Sequence, residues 1–207
     1  MPFNSPTTRL ASLVSILALT LFAAVTIWIN YEIKVKVQGG YNSGSVKEMG
    51  NVQVGKPALD FSTLDLSHRM VSLPDYRHKK VVLLDFWATW CGPCREALSH
   101  MKEIAKTFQG EALVILSVSL DGDEGKWKTY VAENGMTWLQ DRDGGFEGPI
   151  SRLFSVNAIP HTFTIDADGV LQDEQIGDAS IEGKLKKLCA HARELQLAAP
   201  PAKPAGK

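Results

Sequence analysis

The sequence contains few cysteines and almost no net charge. Three cysteines in 207 residues are too few for a disulfide scaffold, and two of them, Cys91 and Cys94, form one CxxC pair. The 22 basic and 23 acidic residues give a net charge of -1, which provides no overall field for attracting nucleic acid or an anionic surface. We therefore expect no nucleic-acid partner, and we expect the CxxC pair to carry chemistry rather than to staple the fold.

Metal ligands are also scarce. A structural zinc site uses four thiolate or imidazole ligands, and one CxxC pair supplies only half of them. The 5 histidines are dispersed along the chain, and the third cysteine, Cys189, stands alone. We therefore predict no resident metal and no other cofactor. Soft thiolates bind copper(I) well, so copper transfer by Cys91 and Cys94 stays an alternative.

Charge is absent from one long stretch near the N-terminus. Residues 10–29 include no charged side chain, and as a helix they would span about 30 Å, the thickness of a hydrocarbon core. We predict a single uncleaved transmembrane anchor there, preceded by a short segment at 1–9, with a cleaved secretory signal as the alternative. Residues 30–51 are typical of a flexible linker, and the proline- and alanine-rich residues 198–207 of a disordered tail. The folded domain then comprises residues 52–197.

Strand and helix patterns alternate along this domain. Apolar runs and turn residues predict strands at 59–64, 70–73, 81–86, 113–120, 161–165 and 170–176. Apolar residues at helical spacing predict helices at 91–108, around 127–135 and at 180–197. Residues 141–149 are rich in glycine and are predicted to be irregular. The order of these elements predicts an α/β domain with a parallel core.

The position of the CxxC pair favours redox chemistry. A buried strand leads directly into the helix that begins at Cys91. Unpaired backbone N–H groups and the helix dipole stabilise a thiolate there and lower the pKa of Cys91, which we predict to be the nucleophile. Cys94, one turn further in, would be shielded and would attack the mixed disulfide that Cys91 forms with a substrate. Pro93 suits the first helical turn, and Gly92 avoids crowding where the substrate comes close.

Two neighbours of the pair are candidate site residues. Asp85 lies inside the apolar run VVLLDF, where burial would raise its pKa and favour the neutral acid near pH 7. Such a group suits proton exchange with Cys94, whereas an exposed acid at a strand edge is the alternative. Trp90 would shield the Cys91 thiolate and offer apolar surface to substrates. The remaining candidates are predicted to be core residues, namely Trp127, Trp138 and Cys189, and a second redox centre is the alternative for Cys189.

The segment VVLLDFWATWCGPCREALSHM resembles the active-site segment of the thioredoxin superfamily. Together with ALDF at 58–61, WAT at 87–89 and RE at 95–96, it resembles the membrane-anchored TlpA/ResA-like thiol-disulfide oxidoreductases over 52–197. The resemblance implies a thioredoxin-like fold, with a central mixed sheet flanked by helices, an N-terminal hairpin and a central α/β insertion, preceded by one transmembrane helix.

The resemblance also implies roles for individual residues. The family's cis-proline corresponds to Pro160, which would face the cysteine pair, and the backbone of Ile159 would bind an extended substrate segment as an added strand. A buried acid at the position of Asp85 exchanges the proton in the family. The chain departs from the family pattern at Ser99, where a helix-kinking proline is common, and at His161, where threonine is usual. His161 could titrate near neutral pH and tune the thiolate, and an inert residue at the mouth of the site is the alternative.

We expect an enzyme tethered to the cytoplasmic membrane with its catalytic domain on the periplasmic side, because the cytoplasm already contains soluble thioredoxin-like reductants. The dipeptide Gly92-Pro93 is found in reducing thioredoxins, so we expect a reductant of protein disulfides. By resemblance, apocytochrome c is a candidate client and a membrane thiol carrier is the electron donor. A thiol peroxidase on the same fold is a further alternative, but it needs a hydroxyl residue three positions before its reactive cysteine, where this chain has Ala88.

Overall fold

The computed structural model describes residues 52–177 and 180–198. The predicted anchor at 10–29, its flanking segments at 1–9 and 30–51, and the predicted tail beyond Ala198 lie outside the described residues. Within the described ranges, no helix is long and apolar enough to cross a membrane.

Strands and helices alternate in the described chain as the sequence predicts. The strands are β1 (Ser62–Leu64), β2 (Met70–Ser72), β3 (Val81–Trp87), β4 (Leu113–Ser119), β5 (Leu139–Arg142), β6 (His161–Ile165) and β7 (Leu171–Ile176). The helices are α1 (Gly92–Thr107), α2 (Glu124–Glu133), α3 (Pro149–Leu153) and α4 (Glu182–Ala198), and a short 3-10 helix (Leu73–Tyr76) follows β2.

The central layer is a mixed sheet of 5 strands in the order β5-β4-β3-β6-β7. Strands β3, β4 and β5 run parallel to one another, whereas β6 is antiparallel to β3 and β7 is antiparallel to β6. Strands β1 and β2 form a separate antiparallel hairpin. The predicted α/β fold, with a mixed central sheet, flanking helices and an N-terminal hairpin, is confirmed.

Both faces of β3 are covered, which explains its uninterrupted apolar run. On one face Leu83 lies in a cluster with Ile104 of α1 and Leu185 of α4. On the other face Phe86 lies in a second cluster with residues of α2 and α3. Because side chains alternate along a strand, Asp85 lies on the same face as Leu83. That face is covered by α1, the helix that begins at the cysteine pair.

Two short elements were not predicted from the sequence. Strand β5 ends at Arg142 and α3 begins at Pro149, so the prediction of an irregular stretch over 141–149 was wrong at both ends. The physical reason is that β5 buries polar side chains, Gln140 and Asp141, and its place in the sheet is set by parallel pairing with β4. Helix α1 continues through Ser99, whose hydroxyl donates to the carbonyl oxygen of Glu96.

Candidate active site

The cysteine pair lies at the N-terminus of α1 and forms a disulfide. Cys91 is the N-cap residue, and the backbone N–H of Cys94 donates to its Sγ over 3.1 Å. Pro93 lies in the first turn, where backbone N–H groups have no partner within the helix, so the proline costs no intrahelical hydrogen bond. The N–H of Cys94 and the dipole of α1 are therefore placed to stabilise a thiolate at Cys91, as the sequence predicts.

Burial does not distinguish the two cysteines. Cys91 is 5% exposed and Cys94 is 6% exposed, so the predicted shielding of Cys94 applies to both residues of the disulfide. The two cysteines differ in their position at the helix terminus. The backbone N–H of Cys94 donates to Cys91 Sγ, so the helix terminus favours a thiolate at Cys91. Trp90, directly before the pair, is 58% exposed and presents its ring to solvent.

A second loop approaches the pair from the start of β6. The peptide bond between Ile159 and Pro160 is cis, as the resemblance implies, and the carbonyl oxygen of Ile159 lies 3.8 Å from Cys91 Sγ. The backbone N–H of Gly177 donates to the carbonyl oxygen of Pro160, which ties this loop to the end of β7. The structure thus brings Ile159, Pro160 and the cysteine pair together, while binding of a substrate by Ile159 stays a prediction.

Asp85 is buried rather than exposed at a strand edge, so the alternative considered for it was wrong. It is 7% exposed, and its Oδ2 accepts a hydrogen bond from Ser117 Oγ over 2.8 Å. Burial raises the pKa of Asp85 from its ordinary 3.8 to about 6, and the hydrogen bond from Ser117 opposes this rise. A carboxyl group with that pKa can take up and release a proton near neutral pH.

His161 lies in the interior instead of at the mouth of the site. It is 2% exposed, its ring stacks on Phe163 with centroids 4.3 Å apart, and its Nε2 lies 3.0 Å from Glu174 Oε1. Burial lowers the pKa of His161, whereas the Glu174 carboxylate works in the opposite direction. Its Nδ1 is buried and has no hydrogen-bond partner in the described part of the chain.

Asp121 holds the loop that leads into the cysteine pair, and the sequence analysis missed it. It is 3% exposed and accepts hydrogen bonds from the backbone N–H of Thr89 over 2.9 Å and from the Thr89 hydroxyl over 2.6 Å. The hydroxyl of Ser119 donates to it over 2.6 Å. A signal was available, because Asp121 directly follows a predicted buried strand, and the carboxyl ends of adjacent parallel strands meet at one edge of the sheet.

The other predicted core residues lie in the interior or partly so. Cys189 is 2% exposed, and burial raises the pKa of its thiol to about 11, so its prediction as a small core residue is confirmed. Trp127 is buried, and Trp138 is half-buried with its Nε1 donating to Ser117 Oγ. Within residues 52–177 and 180–198, no group of three or more His, Cys, Asp or Glu side chains could hold a metal ion.

Comparison with known proteins agrees with this arrangement. The chain matches the AhpC/TSA family over residues 54–174. It is 30% identical over 148 residues to thiol-disulfide oxidoreductase ResA of Bacillus anthracis, covering 70% of this chain and 84% of that protein. It is 34% identical over 153 residues to thioredoxin-like protein YneN of Bacillus subtilis, covering 72% and 85%.

Solved structures show the same fold. A thiol-disulfide oxidoreductase from Bacteroides fragilis superposes with a TM-score of 0.58 at 27% identity, covering 64% of this chain and 99% of that chain. The thioredoxin domain of a thiol-disulfide oxidoreductase from Bacteroides vulgatus gives a TM-score of 0.59 at 24% identity, covering 66% and 98%, and supports the fold alone.

Proposed function

Because the chain belongs to the AhpC/TSA family and is a thiol-disulfide oxidoreductase, we propose that it is a membrane-anchored reductant of protein disulfides. The observation that carries this proposal is the disulfide at the N-terminus of α1, with the Ile159 carbonyl oxygen 3.8 Å from Cys91 Sγ. Thiol–disulfide exchange itself moves two electrons, so the proposal assigns no metal or other cofactor to the site.

The reaction begins with the reduced pair. The Cys91 thiolate attacks one sulfur of a client disulfide, the client S–S bond breaks, and the other client sulfur leaves as a thiolate that takes up a proton. Cys94 then gives up its proton and attacks Cys91 Sγ. The mixed disulfide breaks, the second client sulfur leaves and is protonated, and the Cys91–Cys94 disulfide remains. The client disulfide is reduced by two electrons, and the dithiol is oxidised by two.

We assign to Asp85 the role of accepting and returning the proton of the Cys94 thiol. Asp85 lies on the sheet face that α1 covers, it is buried, and its pKa is raised to about 6 by burial. A carboxylate of that basicity accepts a proton from an attacking thiol near neutral pH, and returns it when the disulfide is reduced again.

Client binding is assigned to the surface around Cys91. Trp90 offers an exposed apolar ring, and the backbone at Ile159 lies beside the reactive sulfur. A side-chain carbon built at Gly92 would meet no atom of the chain within 4 Å, so the fold does not itself require glycine there. Open space at Gly92 suits the close approach of an extended client segment, with Pro160 and His161 supporting the neighbouring loop.

We place the domain on the periplasmic side of the cytoplasmic membrane, anchored through residues 10–29. The uncharged run supports the anchor, and a tethered reductant adds most in an oxidising compartment, where soluble cytoplasmic reductants are absent. By resemblance to TlpA/ResA-like proteins, the candidate client is apocytochrome c, whose CxxCH cysteines must be reduced before haem attachment. The electron donor is then a membrane thiol carrier.

The reduction potential of the Cys91–Cys94 couple tests the direction. We expect a value closer to that of thioredoxin, about −270 mV, than to that of strong periplasmic oxidants, about −120 mV. The measurement is equilibration of the purified domain with glutathione buffers, followed by alkylation of the free thiols. A value near that of the oxidants would reverse the assigned direction.

Three parallel assays separate the proposal from its alternatives. We expect the reduced protein to accelerate insulin reduction. Copper(I) binding at one ion per Cys91–Cys94 pair without insulin reduction would favour a metallochaperone, and peroxide consumption without it would favour a thiol peroxidase. Ala88, at the position where a peroxidase needs a hydroxyl, is buried and apolar.

Location is tested on the full chain in bacterial cells. We expect the protein in the membrane fraction, and we expect protease added to spheroplasts to digest the domain without cell lysis. A domain that is digested only after lysis contradicts the periplasmic placement, and a soluble full-length or shortened protein contradicts the anchor.

A further inference from the structure

A hydrogen-bonded chain of three side chains runs from the edge of the domain to Asp85. The indole Nε1 of Trp138 donates to Ser117 Oγ over 2.8 Å, and Ser117 Oγ donates to Asp85 Oδ2 over 2.8 Å. Asp85 and Ser117 are direct partners in the parallel register of β3 and β4. Ser117 is fully buried and Trp138 is half-buried just before β5.

The chemistry of the three groups determines which of them donates and which accepts in these two hydrogen bonds. An indole N–H can only donate, so Ser117 Oγ must accept from Trp138. The serine hydroxyl has a single proton, and the carboxylate oxygen of Asp85, which can only accept when ionised, lies within hydrogen-bond distance of it. Trp138 therefore occupies an acceptor site of Ser117 and leaves the hydroxyl proton for Asp85.

We propose that Ser117 and Trp138 are positioning residues for Asp85: Trp138 orients the Ser117 hydroxyl, which donates to the Asp85 carboxylate and stabilises its ionised form. This inference deepens the proposed function and rests on it for the catalytic value of Asp85. Ser117 and Trp138 then set the pH at which Asp85 can take up a proton. From the sequence, Trp138 was predicted only to be a core residue.

The surroundings of Asp85 leave this role to Ser117. Its partners in the neighbouring strands are Ser117 on β4 and Thr162 on β6, both uncharged. Helices α1 and α4 cover this face, where Cys189 of α4 is the titratable member of the buried cluster, and α1 begins at the cysteine pair. Among the described residues, burial and the hydrogen bond from Ser117 are the influences that act on the pKa of Asp85. Loss of the Ser117 hydroxyl therefore leaves burial unopposed.

Gln140, the polar residue beside Ser117 on the next strand, does not replace Trp138 as the hydrogen-bond donor to Ser117. Gln140 of β5 is the register partner of Ser117 and is 2% exposed. Both polar atoms of its side chain lack a hydrogen-bond partner within the ranges that the structure describes. The indole of Trp138 is thus the group that holds the Ser117 hydroxyl.

The test is a carbon-13 NMR titration of the Asp85 carboxyl carbon in the oxidised protein, where the disulfide removes both active-site thiols from the titration. The signal is assigned by its loss in Asp85→Asn. We expect Ser117→Ala to raise the titration midpoint by about one pH unit, a tenfold change in proton affinity, because a hydrogen bond to the charged form is lost. Ser117→Thr keeps a hydroxyl and should stay near the wild-type midpoint.

Two further variants separate orientation from packing. Trp138→Phe keeps the aromatic bulk but removes the N–H, and it should raise the Asp85 midpoint in the same direction by a smaller amount. Ser119→Ala removes another buried hydroxyl from β4, one that donates to Asp121, and should leave the midpoint unchanged. An unchanged or lowered midpoint in both Ser117→Ala and Trp138→Phe would overturn the proposal.

The same variants are then assayed for insulin reduction as a function of pH. We expect the pH profile of Ser117→Ala to move upward with the NMR midpoint. The NMR titration involves no client and no turnover, so it decides the positioning role by itself. A midpoint that moves while the rate profile does not supports the positioning of Asp85 and contradicts the proton-transfer role assigned to Asp85 in the proposed function.

Discussion

Replacing Asp85 with asparagine should change the pH dependence of folding stability by an amount that the structure sets. In the folded protein burial raises the pKa of Asp85 to about 6, whereas its ordinary value of 3.8 applies to the unfolded chain. Between these two pH values the folded state binds more protons than the unfolded state. Stability therefore falls as pH rises through this window, and the loss is complete above about pH 7.

The magnitude follows from the two pKa values. Their difference of about 2 pH units corresponds to about 3 kcal/mol of destabilisation from ionised Asp85 at high pH. Asparagine is similar in shape and cannot ionise, so its own packing cost is the same at every pH. The free energy of unfolding of Asp85→Asn, relative to wild type, should rise by about 2 to 3 kcal/mol from about pH 4 to about pH 8.

The assay is urea denaturation of both oxidised proteins at several pH values. A matched control is Asp65→Asn, because Asp65 is a buried carboxylate with the opposite behaviour. Burial would raise the pKa of Asp65, but hydrogen bonds from Arg69 and Ser67 outweigh this and lower it. Stability from Asp65 is lost as pH falls, so the control should be most destabilised at high pH. A difference between Asp85→Asn and wild type that is constant with pH would refute the reasoning.

Substitutions at five residues, including a kinetic use of Asp85→Asn, test the site. Cys94→Ser should trap a mixed disulfide between Cys91 and a client, visible on non-reducing gels, whereas replacing Cys91 with serine should trap none. Trp90→Ala should raise KM for insulin several-fold without changing urea stability, because the ring is exposed. Asp121→Asn should slow insulin reduction and lower the free energy of unfolding by about 2 kcal/mol in urea titrations, since it weakens the bonds that hold the loop before Cys91. Asp85→Asn should slow disulfide reduction, and unchanged rates from about pH 6 to about pH 9 would remove Asp85 from the mechanism.

The parts of the fold that local sequence determines were predictable. The apolar run of β3 and the helical spacing of α1 place both elements within a residue or two, and the CxxC pair between them follows directly. Strand β5 was not predictable in this way, because its buried Gln140 and Asp141 give no apolar signal. Its position depends on pairing with β4, a contact between residues distant in sequence.

The same distinction applies to the site. Burial of Asp85 could be predicted from its apolar neighbours, but the serine opposite it depends on the register of β3 and β4. His161 was placed at the mouth of the site, since a polar residue after a proline gives no sign of burial. In the fold it pairs in register with the fully buried Phe86, and its ring stacks on Phe163, so its side chain lies in the interior.

Two buried carboxylates near the ends of neighbouring strands differ in how many hydrogen bonds they accept, and this difference separates their roles. Asp121 accepts from the backbone and hydroxyl of Thr89 and from the hydroxyl of Ser119, which fixes the loop before the cysteine pair. Asp85 accepts one such bond, from Ser117, among the described residues. With a single donor, the effect of burial outweighs that of the hydrogen bond, and the pKa of Asp85 stays raised at about 6. A second hydrogen-bond donor at Asp85 would stabilise the carboxylate and lower its pKa. Proton exchange near neutral pH therefore depends on Asp85 accepting only one hydrogen bond among the described residues.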